Sequence, residues 1–309
     1  MSAPPTRALV LTAGLGTRLR PLTDVRAKPA VPVAGEPLVR RIIARLVAAG
    51  VADIVLNLHH RPETVTAVVG DGSDLSARVR YSWEPAVLGS AGGPRQALPI
   101  LGAPVFFLLN GDTIADVDLR ALASAHEASG ALVTLALVPN AEPRRYGGVR
   151  LDDDGRVIGF VPRGLDAEGS YHFIGVQVVR ADAFEGLPRG VPASSIGGLY
   201  DELVAVRRGS VRGVVTRARF WDIGTPGDYV RTSRALAGGD LTIHGARGRV
   251  DPSARLIRTI LWDDVEIGAD SLLEDCIVGD GVRIPPGAAY RRAILVDRDG
   301  QVEATPLTD

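Results

Sequence analysis

The sequence predicts an α/β sandwich of three layers around a mostly parallel sheet, followed by a short parallel β-helix. Short apolar runs alternate with helical periodicity over roughly the first half of the chain. One run, Val105-Phe106-Phe107-Leu108-Leu109, is continuously apolar, the pattern of a strand buried on both faces. Beyond Gly238-Gly239 the character changes, and apolar residues recur about every six positions.

The elements follow in order. Arg7 to Leu11 is a short apolar strand that leads into a glycine-rich loop. Leu38, Val39, Ile42, Ile43, Leu46 and Val47 recur at helical spacing and stop at Gly50, a natural C-cap. Asp53 to Leu58 reads as a strand, with a helix from about Pro62. Arg78 to Trp83 is a strand, and Gly92 to Leu98 opens a short helix. The buried run from Pro104 ends in Asn110-Gly111-Asp112. A helix from about Val117 to Ala128 and a strand from Leu132 to Val138 come next. Gly148 to Leu151 and Arg156 to Val161 flank the turn Asp152-Asp153-Asp154-Gly155, which predicts a hairpin. Tyr171 to Val179 is a further strand, and a short helix surrounds Leu199 to Val206. Thr225-Pro226 caps and starts a helix to about Leu236. In the last segment Leu261, Ile267 and Leu273, then Val278 and Ile284 after a one-residue slip, give a weak hexapeptide repeat with room for two or three coils. An antiparallel tail is the alternative.

The bulk numbers exclude several classes. The 309 residues are 46% hydrophobic and 23% charged, ordinary for a protein with a full core. Net charge is −1 without long runs of one sign, which argues against nucleic acid as a partner. No apolar stretch approaches the ~18 residues of a membrane span, and the first residues lack a signal-peptide pattern. Cys276 is the sole cysteine, so no intrachain disulfide forms and a structural zinc site is unexpected. The expectation is a cytoplasmic protein.

The chain has one lysine, Lys28, against 34 arginines. A lone lysine at the surface is the ordinary outcome. This one falls within a segment that looks like a phosphate cradle: Gly14-Leu15-Gly16-Thr17-Arg18-Leu19-Arg20-Pro21-Leu22-Thr23, then Lys28-Pro29 and Pro32-Val33. Glycines after a strand let backbone amides approach phosphate oxygens, and Arg18 can hold such oxygens bidentately. A P-loop needs Gly-Lys-Ser/Thr, which is missing. A dinucleotide fingerprint needs a third glycine where Leu19 stands. Because Gly14 and Asp112 both follow strands, they are expected at the same end of the sheet.

With these motifs the chain resembles the sugar-1-phosphate nucleotidyltransferases over residues 7 to 236. The resemblance implies a Rossmann-like catalytic domain over 1–238, and over 239–309 the short left-handed β-helix that some members append. It implies that a nucleoside triphosphate and a sugar 1-phosphate give a nucleotide-sugar and pyrophosphate. Arg18 would grip the leaving pyrophosphate, and Lys28 would sit beside the α-phosphate. Asp112 and Asp222, the latter in Trp221-Asp222-Ile223-Gly224-Thr225, would hold Mg²⁺. Leu11, Ala13, Gly14, Gly16 and Thr17 would contact the nucleotide. So would Glu84, Gly89 and Ser90 in the second loop, Trp83 to Gly93. Glu84 would either read a guanine edge or only cap the following turn. Gly111, Tyr146, Gly147, Arg163 and Gly175 would line the sugar phosphate site. Relatives often carry Glu-Lys-Pro after the hairpin. Here Phe160-Val161-Pro162-Arg163-Gly164 lacks the glutamate and has arginine for lysine, so the sugar is not specified. The loop Leu88-Gly89-Ser90-Ala91-Gly92-Gly93 leans toward the mannose-1-phosphate guanylyltransferase-like branch. A uridylyl- or thymidylyltransferase is the close competitor, and a catalytically silent nucleotide-sugar-binding regulatory subunit the distant one. A homo-oligomer is expected, with the β-helix packing subunits through apolar faces near Leu261 and Trp262.

Overall fold

The computed structural model describes residues 5–239 and 242–308. Contacts group the chain into two units that interleave in sequence. One comprises the described residues up to Gly14, Ile42–Pro62 and Val69–Phe220; the other comprises Leu15–Arg41, Glu63–Val68 and Trp221 onward.

The first unit holds a nine-stranded sheet. Its strands are β1 (Arg7–Leu11), β2 (Asp53–Leu58), β3 (Arg78–Trp83), β4 (Val105–Asn110), β5 (Val133–Pro139), β6 (Gly148–Leu151), β7 (Val157–Val161), β8 (Tyr171–Arg180) and β9 (Val211–Val215). The order is β7-β6-β8-β4-β1-β2-β3, with β5 also paired to β8 and β9 to β5. Pairs β4-β1, β1-β2, β2-β3 and β5-β9 are parallel. β8 runs antiparallel to β4, β5 and β6. The sheet is therefore parallel-rich rather than mostly parallel. The β6-β7 hairpin reverses the chain without a helix, and β8 then enters against its neighbours' direction.

Apolar continuity explains the centre. Phe106 and Leu108 of β4 and Leu9 of β1 are fully buried, together with Val55, Leu135 and Val179. Each such side chain contributes about 1.5–3 kcal/mol on burial. The helices longer than one turn, in chain order, are α1 (Leu38–Ala48), α2 (Pro62–Val69), α3 (Gly89–Leu101), α4 (Leu119–Ser129), α5 (Tyr200–Val206) and α6 (Pro226–Ala237). Leu38, Val39, Ile42, Ile43 and Leu46 of α1 are buried, as their spacing requires. α4 starts where Asp118 accepts from the Ala121 N–H at 3.0 Å, and α6 starts on a capping box between Thr225 and Asp228. α3 begins earlier than its sequence signals, at Gly89, because its first turn is supported by tertiary bonds described below.

In the second unit the C-terminal segment forms short parallel strands in three sheets. Arg249–Val250 pairs with Glu266–Ile267, which pairs with Arg283–Ile284; Arg255–Ile257, Leu272–Glu274 and Ala289–Arg291 form the second ladder; Ile260–Leu261, Ile277–Val278 and Ala293–Arg298 form the third. The backbone repeats at a 17-residue step, as in the pairing of Arg249 with Glu266 and of Glu266 with Arg283. Three strands per 17 residues account for the slip in the hexapeptide spacing. Leu261, Ile267, Leu273, Val278 and Ile284 all lie in one buried cluster. Among the described residues of the C-terminal segment, antiparallel pairing is confined to Gln301–Pro306 against Ala293–Arg298.

One expectation is corrected here. Leu261 and Trp262 offer no apolar face to another subunit, being 3% and 0% exposed. The Trp262 indole N–H donates to the Tyr229 hydroxyl of the same chain at 2.8 Å, and the two rings meet edge to face.

Candidate active site

Within the first unit, the parallel pairing of β1 and β4 sets Leu11 opposite Asn110, so both following turns leave the same end of the sheet. The Gly111 N–H donates to the Leu11 carbonyl at 3.0 Å. A Cβ at Gly111 would lie 2.3 Å from that oxygen, so only glycine permits this approach, and Asp112 comes next. Ala13 is buried, whereas Gly14 is exposed and a Cβ there would meet nothing within 4 Å. Protein packing thus leaves open space at Gly14, where a ligand can approach the backbone.

Thr12 ties this end to β2: its N–H donates to Asn57 Oδ1 at 2.6 Å and its hydroxyl to the Asn57 carbonyl. Asn57 Nδ2 donates to Glu84 Oε1 at 2.7 Å, and the Leu88 N–H donates to Glu84 Oε2 at 2.9 Å. Glu84 is 0% exposed. Both carboxylate oxygens are thus engaged within the protein, the arrangement of a cap on the following turn.

Gly89 and Ser90 open α3 under a segment that carries no motif. The Ala91 and Gly92 N–H groups donate to the Ala193 carbonyl at 2.9 and 3.2 Å. Ser90 Oγ accepts from the Ser195 N–H at 2.8 Å and lies 2.9 Å from Ser195 Oγ.

Tyr146 and Gly147 meet the end of the hairpin. A Cβ at Gly147 would lie 3.1 Å from the Val161 carbonyl and 3.9 Å from the Arg163 nitrogen, which brings these residues together. The Tyr146 ring stacks on His172 with centroids 4.1 Å apart, and Phe220 closes the group at 5.7 and 5.2 Å. Burial pushes the His172 imidazole down to about 4, so it is neutral at pH 7. Arg163 is exposed. Gly175 stands against the Asn110 side chain, one residue before Val176 pairs with Leu109.

The second unit holds the other predicted groups. Gly16 adopts φ +62°, and the Thr23 hydroxyl donates to its carbonyl at 3.0 Å. A Cβ there would lie 2.8 Å from Thr23 Cγ2 and 3.3 Å from Lys28 Cβ, so the loop folds back on itself and seats Lys28 beside Gly16. Lys28 is 8% exposed, unusual for lysine. Thr17 and Arg18 are exposed on the same loop. Around Gly224, Arg18 Nη1, Asp228 Oδ2 and Asp222 Oδ2 lie 3.0, 3.1 and 3.2 Å from a single point, the place a Cβ would take. Arg18 and Asp222, separated by most of the chain, thus converge. Asp228, the third residue of α6, is the partner of Thr225 in the capping box and pairs with Arg231.

Sequence reasoning missed Asn57, Thr12 and the 191–195 segment. Asn57 had a signal, since it is a polar residue inside the apolar run of β2. The 191–195 segment had none.

The first unit thus presents a parallel-rich sheet with glycine turns at its carboxyl end, and the second brings Arg18 and Asp222 together. Residues 7–238 match the Nucleotidyl transferase family, and the chain belongs to it. It is a sugar-1-phosphate nucleotidyltransferase, similar to mannose-1-phosphate guanylyltransferases. A mannose-1-phosphate guanylyltransferase of Mycobacterium tuberculosis is 33% identical over 297 residues, covering 92% of this chain and 83% of that protein. An N-acetylmuramate alpha-1-phosphate uridylyltransferase of Neisseria meningitidis is 35% identical over 238 residues, 75% of this chain and 98% of that one. HddC from Yersinia pseudotuberculosis, in a structure complexed with GMP-PN, has a TM-score of 0.64 at 25% identity, covering 75% of this chain and 99% of that chain.

Proposed function

We propose that the enzyme joins GTP and mannose 1-phosphate to give GDP-mannose and pyrophosphate. The observation that carries this reading is the similarity to the M. tuberculosis guanylyltransferase across 92% of the chain, the C-terminal strands included. The guanine-nucleotide complex of HddC is in keeping with it. A uridylyltransferase is the second reading, favoured by the 35% identity to the N. meningitidis enzyme.

A phosphate monoester has a second pKa near ~6, so a sugar 1-phosphate is already an anionic nucleophile at neutral pH. No general base is needed. Its oxygen attacks the α-phosphorus, and pyrophosphate departs with the electron pair of the broken bond. The barrier is the approach of one anion to another, so catalysis reduces to alignment and charge neutralisation. Lys28 supplies a point charge for an α-phosphate oxygen, and Arg18 a fork for the leaving pyrophosphate. Leu11, Ala13, Gly14, Gly16, Thr17, Gly89 and Ser90 contact the nucleotide. Gly111, Tyr146, Gly147, Arg163 and Gly175 hold the sugar phosphate.

Asp112 and Asp222 are the residues we assign to magnesium, which when bound neutralises charge on the phosphate oxygens. Magnesium usually takes one or two carboxylates and fills its sphere with water and phosphate. Two carboxylate side chains match that preference. The place of Asp222 beside Arg18 supports a shared polyphosphate.

We read 1–238 as the catalytic portion with a Rossmann-like fold, and 239–309 as a short left-handed β-helix; the three parallel ladders support the latter. We also read the protein as a cytoplasmic homo-oligomer. Among the described residues no helix is long and apolar enough to cross a membrane. Light scattering on the purified protein tests the assembly.

The function is tested by measuring pyrophosphate release from GTP, UTP and dTTP with mannose and glucose 1-phosphates and an amino-sugar 1-phosphate. Release fastest with GTP and mannose 1-phosphate is expected. A preference for UTP moves the assignment to the second reading, and no release with any pair favours a silent regulator.

A further inference from the structure

Arg26 binds the loop that carries Arg18 and Lys28 to the C-terminal strands. Arg26 lies two residues before Lys28, in extended backbone between two short helical turns. Its Nε donates to Asp280 Oδ2 at 2.5 Å, and its Nη2 donates to Asp280 Oδ1 at 2.7 Å and to Asp263 Oδ2 at 2.6 Å. The guanidinium carbon sits 5.6 Å from the centroid of the Trp262 ring. The Arg26 side chain is only 11% exposed.

The carboxylates are themselves fixed. Asp280 Oδ1 also accepts the Asp263 N–H at 3.0 Å, and Asp263 Oδ1 accepts the Ala246 N–H at 2.7 Å. A planar fork between two oriented carboxylates has little freedom, unlike a surface pair. Further contacts hold the loop on either side of Arg26. Arg298 donates to Asp24 at 3.0 Å. The Tyr229 hydroxyl donates to the Pro32 carbonyl at 2.7 Å while accepting from Trp262. The Ala27 N–H donates to Thr64 Oγ1 at 3.0 Å. Lys28, next in the chain, rests against Gly16.

We infer that the C-terminal strands are a working part of the phosphate site, with Arg26 the positioning residue that, held by Asp280 and Asp263, sets Lys28 against the Gly16 turn. This presupposes that Lys28 acts at the α-phosphate. Arg26 touches no reacting atom in this scheme. It limits where the ammonium can go. A misplacement of about 1 Å in a catalytic group can cost on the order of 100-fold in rate.

The test uses the full-length protein with its best nucleotide and sugar 1-phosphate. Arg26→Gln should lower kcat roughly 10- to 100-fold while KM for both substrates stays within about threefold, because the interaction matters in the transition state. Asp280→Asn keeps the shape of the carboxylate and should fall in the same direction by less. Arg26→Lys should be intermediate, since one donor replaces a fork. The decisive readout is the same Arg26→Gln change in a Lys28→Ala background. A residue acting through Lys28 adds less than about a twofold loss there, whereas general loosening of the fold would cost the full factor in both backgrounds. Equal losses in the two backgrounds, or a normal kcat for Arg26→Gln, overturn the positioning role. Should Arg26→Gln fail to fold, a normal kcat in Asp280→Asn and Arg26→Lys overturns it equally. If Lys28→Ala itself turns over normally, the assignment of Lys28 falls first. If Lys28→Ala is slow and Arg26→Gln is not, only the present inference is lost.

Discussion

Glu84→Gln separates a loop clamp from a base reader. In the structure one carboxylate oxygen takes the Asn57 amide and the other the Leu88 N–H, with no part of the side chain exposed. Glutamine has the same outline but offers only one acceptor. Its NH₂ must face either Asn57 Nδ2 or the Leu88 N–H, leaving two donors opposed in a dry site. A buried donor stripped of its partner costs about 1–3 kcal/mol, more where the lost acceptor was charged. For a domain of this size that lowers Tm by several degrees, at about 2–4 °C per kcal/mol. Thermal unfolding measures this loss. Steady-state kinetics with GTP and UTP measures the ratio of kcat/KM values, which should stay within about threefold of the native ratio because Glu84 touches neither base. Activity with both nucleotides should fall together, as the second loop loosens. An unchanged Tm with a shift of tenfold or more in the GTP/UTP ratio would refute the capping role and restore base reading.

Lys28→Arg should cut turnover by at least ~100-fold while the fold is kept, the scale of losing one positioned electrostatic group; near-normal turnover by pyrophosphate release would discredit the role of Lys28. Asp112→Asn and Asp222→Asn should each raise the magnesium concentration needed for half-maximal rate, and a magnesium titration unchanged from the native enzyme would remove both from the metal assignment. His126 and His172 are both pushed by burial from 6.5 to about 4, so between these values the unfolded chain binds more protons than the folded one. Stability should therefore rise with pH across that window and be lost as pH falls from 6.5 toward 4. Urea unfolding at pH 7 and pH 5 checks this, and His126→Gln should flatten the dependence; an identical slope in that variant would rule His126 out as a contributor.

Much of the architecture was legible because its signals are local. The continuous apolar run at Val105 to Leu109 and the capping pair Thr225-Pro226 mark elements whatever surrounds them. The direction of β8 was not legible, since residue periodicity is the same in either direction and only the hairpin before it decides. The 17-residue ladder appeared in the sequence as an imperfect repeat of six, because three unequal strand-and-turn units make one round. For the site, glycine turns and short motifs placed Gly14, Gly16, Lys28, Asp112 and Asp222 on loops and strand ends. Glu84 was ambiguous: a carboxylate after a strand can face a ligand or its own backbone, and only burial distinguishes them. Arg26 left no trace, being one of 34 arginines with partners more than 200 positions away.

The doubly carboxylate-bound guanidinium has a consequence for recombining this enzyme with its relatives. A graft that carries only the final seventy or so residues into another member imports Asp263 and Asp280 as two acids side by side, without the cation that reconciles them. The reverse graft strands a largely buried cation. Crossover points should therefore be chosen so that Leu15 to Arg41 travels with the tail, making the exchangeable cassette discontinuous in the gene although continuous in space.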